Sequence, residues 1–139
     1  MSRRIALVSA LVVAVASAGC SDLSRGELRR GVGTLKSIAA EGELLAVQVA
    51  RDRTKATFAR VQASTLAGQA EHEAEKLSDA QPAPDLGQEK ARAAGLASTL
   101  SDTLGELQVR PGDEQPSARA ARALRNEQRA ILDLYERLL

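Results

Sequence analysis

The stretch 24-SRGELRRGVGTLKSIAAEGELLAVQV-49 decides the fold. Its apolar residues recur at alternating steps of four and three, the spacing that places side chains on one face of an α-helix. Ser24 and Glu27 stand at the spacing of a capping box, so we expect the helix to begin near Ser24. The glycines of the stretch weaken a helix, and we expect its first turns to be frayed and to act as a short spacer. The predicted buried face consists of Leu28, Val32, Leu35, Ile38, Ala39, Gly42, Leu45, Ala46 and Val49.

A polar segment, residues 51–55, is expected to turn the chain, with Thr54 capping a second helix. That helix should reach about Ser78 and stop at Gln81-Pro82-Ala83-Pro84, because proline disfavours helix in the residue before it. Its predicted buried positions are Ala59, Ala63, Leu66, Ala70, Ala74 and Leu77.

A third helix is expected to open at Asp85 with Gln88 and to stop at Arg110-Pro111-Gly112-Asp113. Ser117 is the predicted cap of the fourth helix. The predicted buried positions of these two helices are Ala93, Leu96, Ala97, Leu100, Leu104 and Leu107, and then Ala121, Leu124, Ile131, Leu134, Tyr135 and Leu138.

These elements predict an all-α domain over residues 24–139, an antiparallel up-down-up-down four-helix bundle. Similar helix lengths and short connections favour that arrangement. If the chain stays helical through residues 53–55, the alternative is a three-helix bundle with a very long first helix. Phe58 and Tyr135 are the only aromatic residues, so the core must be aliphatic.

The first nineteen residues follow the three-part plan of an export signal. Two arginines come first, an aliphatic run from Ile5 to Val15 follows, and small residues lead up to Cys20, the only cysteine. The run is shorter than the roughly 20 apolar residues that span a bilayer. We therefore expect export without a lasting membrane span.

Ser17-Ala18-Gly19-Cys20 resembles the lipobox of bacterial lipoproteins, in which small residues precede a cysteine that receives a diacylglyceryl group. Ser17 departs from that class, where an aliphatic residue is usual. The resemblance implies cleavage between Gly19 and Cys20, a signal peptide at residues 1–19, a lipidated N-terminus and short tether at residues 20–23, and anchoring outside the cytoplasm to a cell membrane or outer membrane. It covers the leader alone, and no family is recognised for the helical region.

Ordinary secretory cleavage after Ala18 is the alternative, because Ala16-Ser17-Ala18 is a small-x-small site. It would release a soluble protein with a free thiol on Cys20. Without the leader's Arg3 and Arg4, the 19 basic side chains fall to 17, against 18 acidic ones. This balance gives no reason to expect nucleic-acid binding.

The helical region lacks the residues of common catalytic and cofactor sites. His72 is the only histidine, whereas di-metal bundles need two Glu-x-x-His pairs and haem needs axial His or Met ligands. No phosphate loop or nucleophile elbow is present. We expect no enzyme, no cofactor and no metal, a partly buried His72 at a bundle edge, and a solvated acidic run at Glu71, Glu73 and Glu75.

Arg51, Arg53, Lys55 and Arg110 are the candidate interaction residues. If the first helix rises from Cys20, the two connections that carry them meet at the end farthest from the membrane. This basic end could dock an anionic envelope polymer or a partner protein, with acidic neighbours offsetting part of the charge. A second basic set, Arg119, Arg122, Arg125 and Arg129, is expected to form an exposed face paired internally with Asp133 and Glu136.

Together these features predict a noncatalytic, membrane-tethered interaction or accessory protein of the cell envelope. The alternative is a small-ligand-binding bundle, because alanine-rich stripes can leave room between helices. An enclosed apolar cavity would favour the alternative, and a filled core would favour interaction.

Overall fold

The computed structural model describes residues 22–111 and 114–139, apart from the side chain of Glu114. It contains four helices: α1 (Arg25–Ala50), α2 (Ala56–Asp79), α3 (Gly87–Val109) and α4 (Glu114–Arg137). The predicted all-α four-helix bundle is confirmed. The three-helix alternative is wrong, because α1 ends before residue 51. The predictions for residues 1–19 and for Cys20 lie outside the described residues.

The helices run alternately up and down and form two close pairs, α1 with α4 and α2 with α3. The seams between α1 and α2 and between α3 and α4 are less extensive. The end that carries Leu23 and the α2–α3 connection is called the base below. The end that carries the α1–α2 turn and the connection after α3 is called the tip.

The start of α1 is well fixed, so the predicted frayed spacer is wrong. The capping box is complete: the Glu27 carboxylate accepts from the Ser24 backbone at 2.8 Å, and the Glu27 N–H donates to the Ser24 hydroxyl at 3.3 Å. The chain is also held just before the helix. The Leu23 N–H donates to Gln81 at 2.6 Å, and the Ala83 N–H donates to Leu23 at 3.3 Å. Two backbone hydrogen bonds therefore fasten residue 23 to the base.

The end of α1 is a Schellman motif, which explains how the chain turns without glycine or proline. The Arg53 N–H donates to Gln48 at 2.8 Å, and the Asp52 N–H donates to Val49 at 3.0 Å. Asp52 takes the left-handed conformation with φ 52°. Aspartate is one of the few residue types other than glycine that visit this region routinely, so the polar segment can turn here.

The three other predicted caps are wrong. Lys55, not Thr54, precedes α2, and Leu86 precedes α3, and neither makes a side-chain cap hydrogen bond. Asp85 instead pairs with Arg25 at 3.2 Å. Ser117 lies inside α4 and is fully buried.

The core is aliphatic and follows the predicted stripes. Every predicted position of α1 is buried, and in the other helices only Ala74, Leu96 and Tyr135 are partly exposed, each still packed against the core. Gly42 occupies the tightest point. A Cβ there would stand 2.7 Å from Cδ2 of Leu104, so the missing side chain lets α1 approach α3. No helix in the described part of the chain is long and apolar enough to cross a bilayer.

Candidate functional site

The four candidate interaction residues all lie exposed at the tip. Arg51, Arg53 and Lys55 stand on the α1–α2 turn, and Arg110 follows α3 directly. Because α1 and α3 both run from base to tip, their ends share one end of the bundle. The structure therefore places these cations at the end of the bundle opposite the base.

Arg51 forms part of a groove between α1 and α4, called the arginine groove below. Its floor is small and apolar, and its rim carries three guanidinium groups. Nε of Arg125 lies 2.7 Å from Glu43 Oε1, whereas Arg51 and Arg122 pair with no described carboxylate. The lining residues are Val47, Ala50, Arg51, Ala118, Ala121, Arg122 and Arg125. The groove thus offers two guanidinium groups that form no ion pair within the described residues, above an apolar floor.

Arg110 lies in a different groove, between the end of α3 and the start of α4. It shares this groove with Arg119, Pro116 and Val109, whose side chain is strongly exposed. Arg51 and Arg110 therefore flank the start of α4 on two sides. The tip is basic around α4, but its cations do not converge on one point.

The arginines of α4 do not pair in the way the sequence predicted. Asp133 binds Arg137 within the helix at 2.8 Å and also Arg92 of α3 at 3.1 Å. Arg125 pairs across to α1. Arg122 and Arg129 are exposed and form no ion pair with a described side chain. The predicted pairing with Asp133 and Glu136 is thus wrong for all four arginines of this set.

Two predictions on α2 are also wrong. His72 is exposed and not partly buried, and Glu73 is buried and not solvated. One Glu73 oxygen accepts from Lys76 at 3.4 Å, and the other has no partner among the described residues. That second oxygen faces α1 at Gly31, where a Cβ would stand 3.5 Å away. Glu73 continues the stripe of Leu66, Ala70 and Leu77, so its burial was readable from spacing.

Glu127 in α4 is a second partly buried carboxylate, which the sequence analysis missed. Its Oε1 accepts from Thr103 Oγ1 at 2.6 Å, and its Oε2 is buried without a described partner. Burial raises the pKa of the Glu127 carboxyl, and the charges of Asp102 and Glu106 raise it further, against the lowering effect of the Thr103 bond. Glu127 fills the stripe position between Leu124 and Ile131, where spacing predicts burial.

A groove of opposite character lies between α2 and α3 and is called the acidic groove below. Small residues form its floor, and no lysine or arginine lines it. Four exposed carboxylates form its rim, on Glu71, Glu75, Asp79 and Asp102. Within the described ranges, no three His, Cys, Asp or Glu side chains are placed to share a metal ion.

The arginine groove, the groove beside Arg110 and the acidic groove are open surface features with polar rims, and they differ from the enclosed apolar pocket typical of small-ligand sites. The candidate lipidation and cleavage residues, Gly19 and Cys20, lie outside the described residues. No protein-family model, curated protein or solved structure matches this chain.

Proposed function

We propose that this chain is a noncatalytic bacterial lipoprotein, held outside the cytoplasm through lipid on Cys20, and that its bundle is an interaction or accessory subunit of the cell envelope. The export-signal pattern and the lipobox-like residues before Cys20 support the tether. The structural observation that carries the proposal is the fastening of Leu23 at the base. It separates the proposed tether from the exposed cations of the tip by the length of the bundle.

The spacing between the lipid and the bundle would be short. Only Ser21 and Asp22 stand between Cys20 and the fastened Leu23, and three Cα steps extend at most roughly 11 Å. Helices of 23 to 26 residues measure about 35–39 Å. The base would therefore lie near the lipid headgroups. If the bundle stands upright, its helix length places the tip more than about 30 Å from them.

The packing supports interaction at the surface over binding of a ligand inside the bundle. At Gly42 the core has no room for a single methyl group without displacing Leu104. The missing side chain of Gly42 therefore brings α1 close to α3 at this level. Partner binding by the exposed arginines at the tip needs no internal space, and an anionic polymer or protein would complement their charge.

The lipid tether is tested by expressing the full chain and its Cys20→Ser variant in a bacterial host. We expect the processed chain to partition into detergent and to carry the mass of a lipidated N-terminal cysteine, and the variant to lose both properties. Ser21→Ala is the matched control, because it leaves the thiol in place. A processed chain that begins at Gly19 with an unmodified thiol would reject the tether.

The role of the tip is tested by reversing Arg51, Arg53 and Arg110 to glutamate and comparing the envelope partners captured by crosslinking in cells. For each partner that the native chain captures, we expect the variant to capture at least about tenfold less. Arg29→Glu with Arg30→Glu is the control, because it reverses charge near the base. Equal capture by the tip variant and the native chain would reject the tip as a docking site.

A further inference from the structure

The bundle carries charge of opposite sign on two opposite sides. The pair α1 and α4 has four and five basic side chains against three and four acidic ones. The pair α2 and α3 has two and two basic side chains against four and three acidic ones. Because each pair forms one side of the bundle, the α1–α4 side has a small net positive charge and the α2–α3 side a net negative charge.

The basic side extends well beyond the arginine groove. Arg122 and Arg129 stand seven residues apart on α4, which places them on the same face of the helix. Lys36 of α1 lies over the ring of Tyr135 in α4, with Nζ 5.2 Å from the ring centre, so it points to the same seam. Exposed cations therefore line the α1–α4 side from its lower turns to the tip, and the exposed carboxylates of Asp133 and Glu136 share this face of α4 near the base.

The acidic side has a matching extent. Glu71, Glu75 and Asp79 follow one another at four-residue steps along the lower half of α2, and Asp102 stands higher on α3. The floor between them consists of alanine, glycine and serine. Long arginine side chains can therefore enter this groove without meeting a bulky residue.

We propose that the α1–α4 side of one copy binds the α2–α3 side of a second copy, with Arg122 and Arg129 entering the acidic groove. Every copy offers both surfaces, so the charge complementarity that the contact needs is built into this one chain. The contact is heterologous, so a pair of copies keeps one free basic side and one free acidic side, and rows of copies can grow. Both sides run along the bundle axis, so neighbouring copies can lie side by side with their bases at the same height. Copies tethered to one membrane through their bases need this arrangement.

The proposal does not depend on the lipid and is tested in solution. The test uses the chain from residue 20 with Cys20→Ser, which removes the only thiol and with it any disulfide-linked dimer. The buried core lies between residues 28 and 138, so this chain keeps the whole bundle. We expect sedimentation equilibrium to show self-association at about 20 mM salt that weakens markedly at about 500 mM salt, because exposed charges are screened.

Two charge-reversed variants locate the contact. The first is Arg122→Glu with Arg129→Glu, and the second is Glu71→Lys with Glu75→Lys. Each alone should weaken self-association by at least about tenfold, because like charges then face each other. Mixed in equal amounts, they should associate again, because the acidic groove of the first still meets the basic side of the second.

The matched controls reverse exposed charges that line neither the arginine groove nor the acidic groove. Arg53→Glu with Arg110→Glu tests the tip, and Glu41→Lys with Glu106→Lys tests the remaining seams. We expect both controls to associate as the native chain does, with helix content by circular dichroism confirming that all variants fold. A native chain that stays monomeric at low salt, single variants that associate normally, or a mixture that does not associate would each overturn the proposal.

Discussion

Asp52 closes α1 in a backbone conformation that most side chains avoid, with φ 52°. Replacing it with glycine removes the steric cost, and we expect Asp52→Gly to raise the free energy of unfolding by about 0.5–1 kcal/mol. Asp52→Val should lower it by about 1 kcal/mol or more, because a branched Cβ is disfavoured there. Urea unfolding of the three proteins tests the order Gly, Asp, Val, and any other order contradicts the strained turn.

Gly42 and Gly95 form a matched pair inside helices. A Cβ at Gly42 would meet Leu104 at 2.7 Å, whereas a Cβ at Gly95 would meet nothing within 4 Å. We expect Gly42→Ala to destabilise the bundle by about 1–3 kcal/mol through overpacking, even though alanine is the better helix former. Gly95→Ala should stabilise it by up to about 1 kcal/mol. If thermal unfolding shows that both variants are stabilised, the contact between Gly42 of α1 and Leu104 of α3 has room for a methyl group and the overpacking argument is wrong.

At the scale of elements, the seam between α3 and α4 holds the Glu127 carboxylate, and its raised pKa gives the seam a pH dependence. The folded state binds this proton at higher pH than the unfolded state, whose carboxyl has the ordinary pKa of 4.5. Stability contributed by this group is therefore fully present below pH 4.5 and is lost as the pH rises through the folded-state pKa.

Glutamine does not ionise, so Glu127→Gln should abolish the loss of stability that accompanies ionisation of Glu127. It still provides an amide oxygen that accepts the hydrogen bond from Thr103. We expect the variant to be more stable than the native chain at neutral pH and the difference to shrink as the pH falls towards 4.5. Chemical unfolding at a series of pH values measures this difference. A stability difference that stays constant with pH would exclude titration of Glu127 as its source.

At the scale of the whole molecule, the fastened Leu23 predicts a fixed orientation on a membrane. The chain has no tryptophan, so one can be introduced as a reporter. Leu139, at the base, and Phe58, on the second helix near the tip, are both exposed. With the chain from residue 20 coupled through Cys20 to lipid vesicles, headgroup quenchers should reduce the fluorescence of Leu139→Trp and leave that of Phe58→Trp unchanged.

A flexible glycine-serine insertion after Asp22 provides the control, because it lengthens the tether without entering the bundle. We expect it to reduce the difference between the two reporters. Equal quenching of both reporters in the native-length chain would contradict an upright bundle. Coupling at Cys20 is chemical here, so the result is independent of whether cells lipidate this residue.

The spacing of apolar residues correctly predicted the four helices, because a helix that buries one face needs apolar residues every three or four positions, whichever helix it packs against. The same spacing covers the buried positions Glu73 and Ser117 and the partly buried Glu127, but Glu73 was predicted to be solvated, Ser117 was predicted to be a cap, and no prediction concerned Glu127. The helix caps failed for another reason. A local cap is only one way of satisfying the free backbone N–H groups at the start of a helix. The side chain predicted to cap α3, Asp85, pairs with Arg25 instead.

The sequence by itself determined the four helices, their buried faces and the tip position of Arg51, Arg53, Lys55 and Arg110. Periodicity, turn residues and short connections are local properties, so they can be read along the chain. Only the tertiary structure decided that α1 pairs with α4 and α2 with α3, and therefore that the two sides have opposite charge. Which helices become close neighbours depends on how the buried faces of all four helices pack together, and no single helix contains that information.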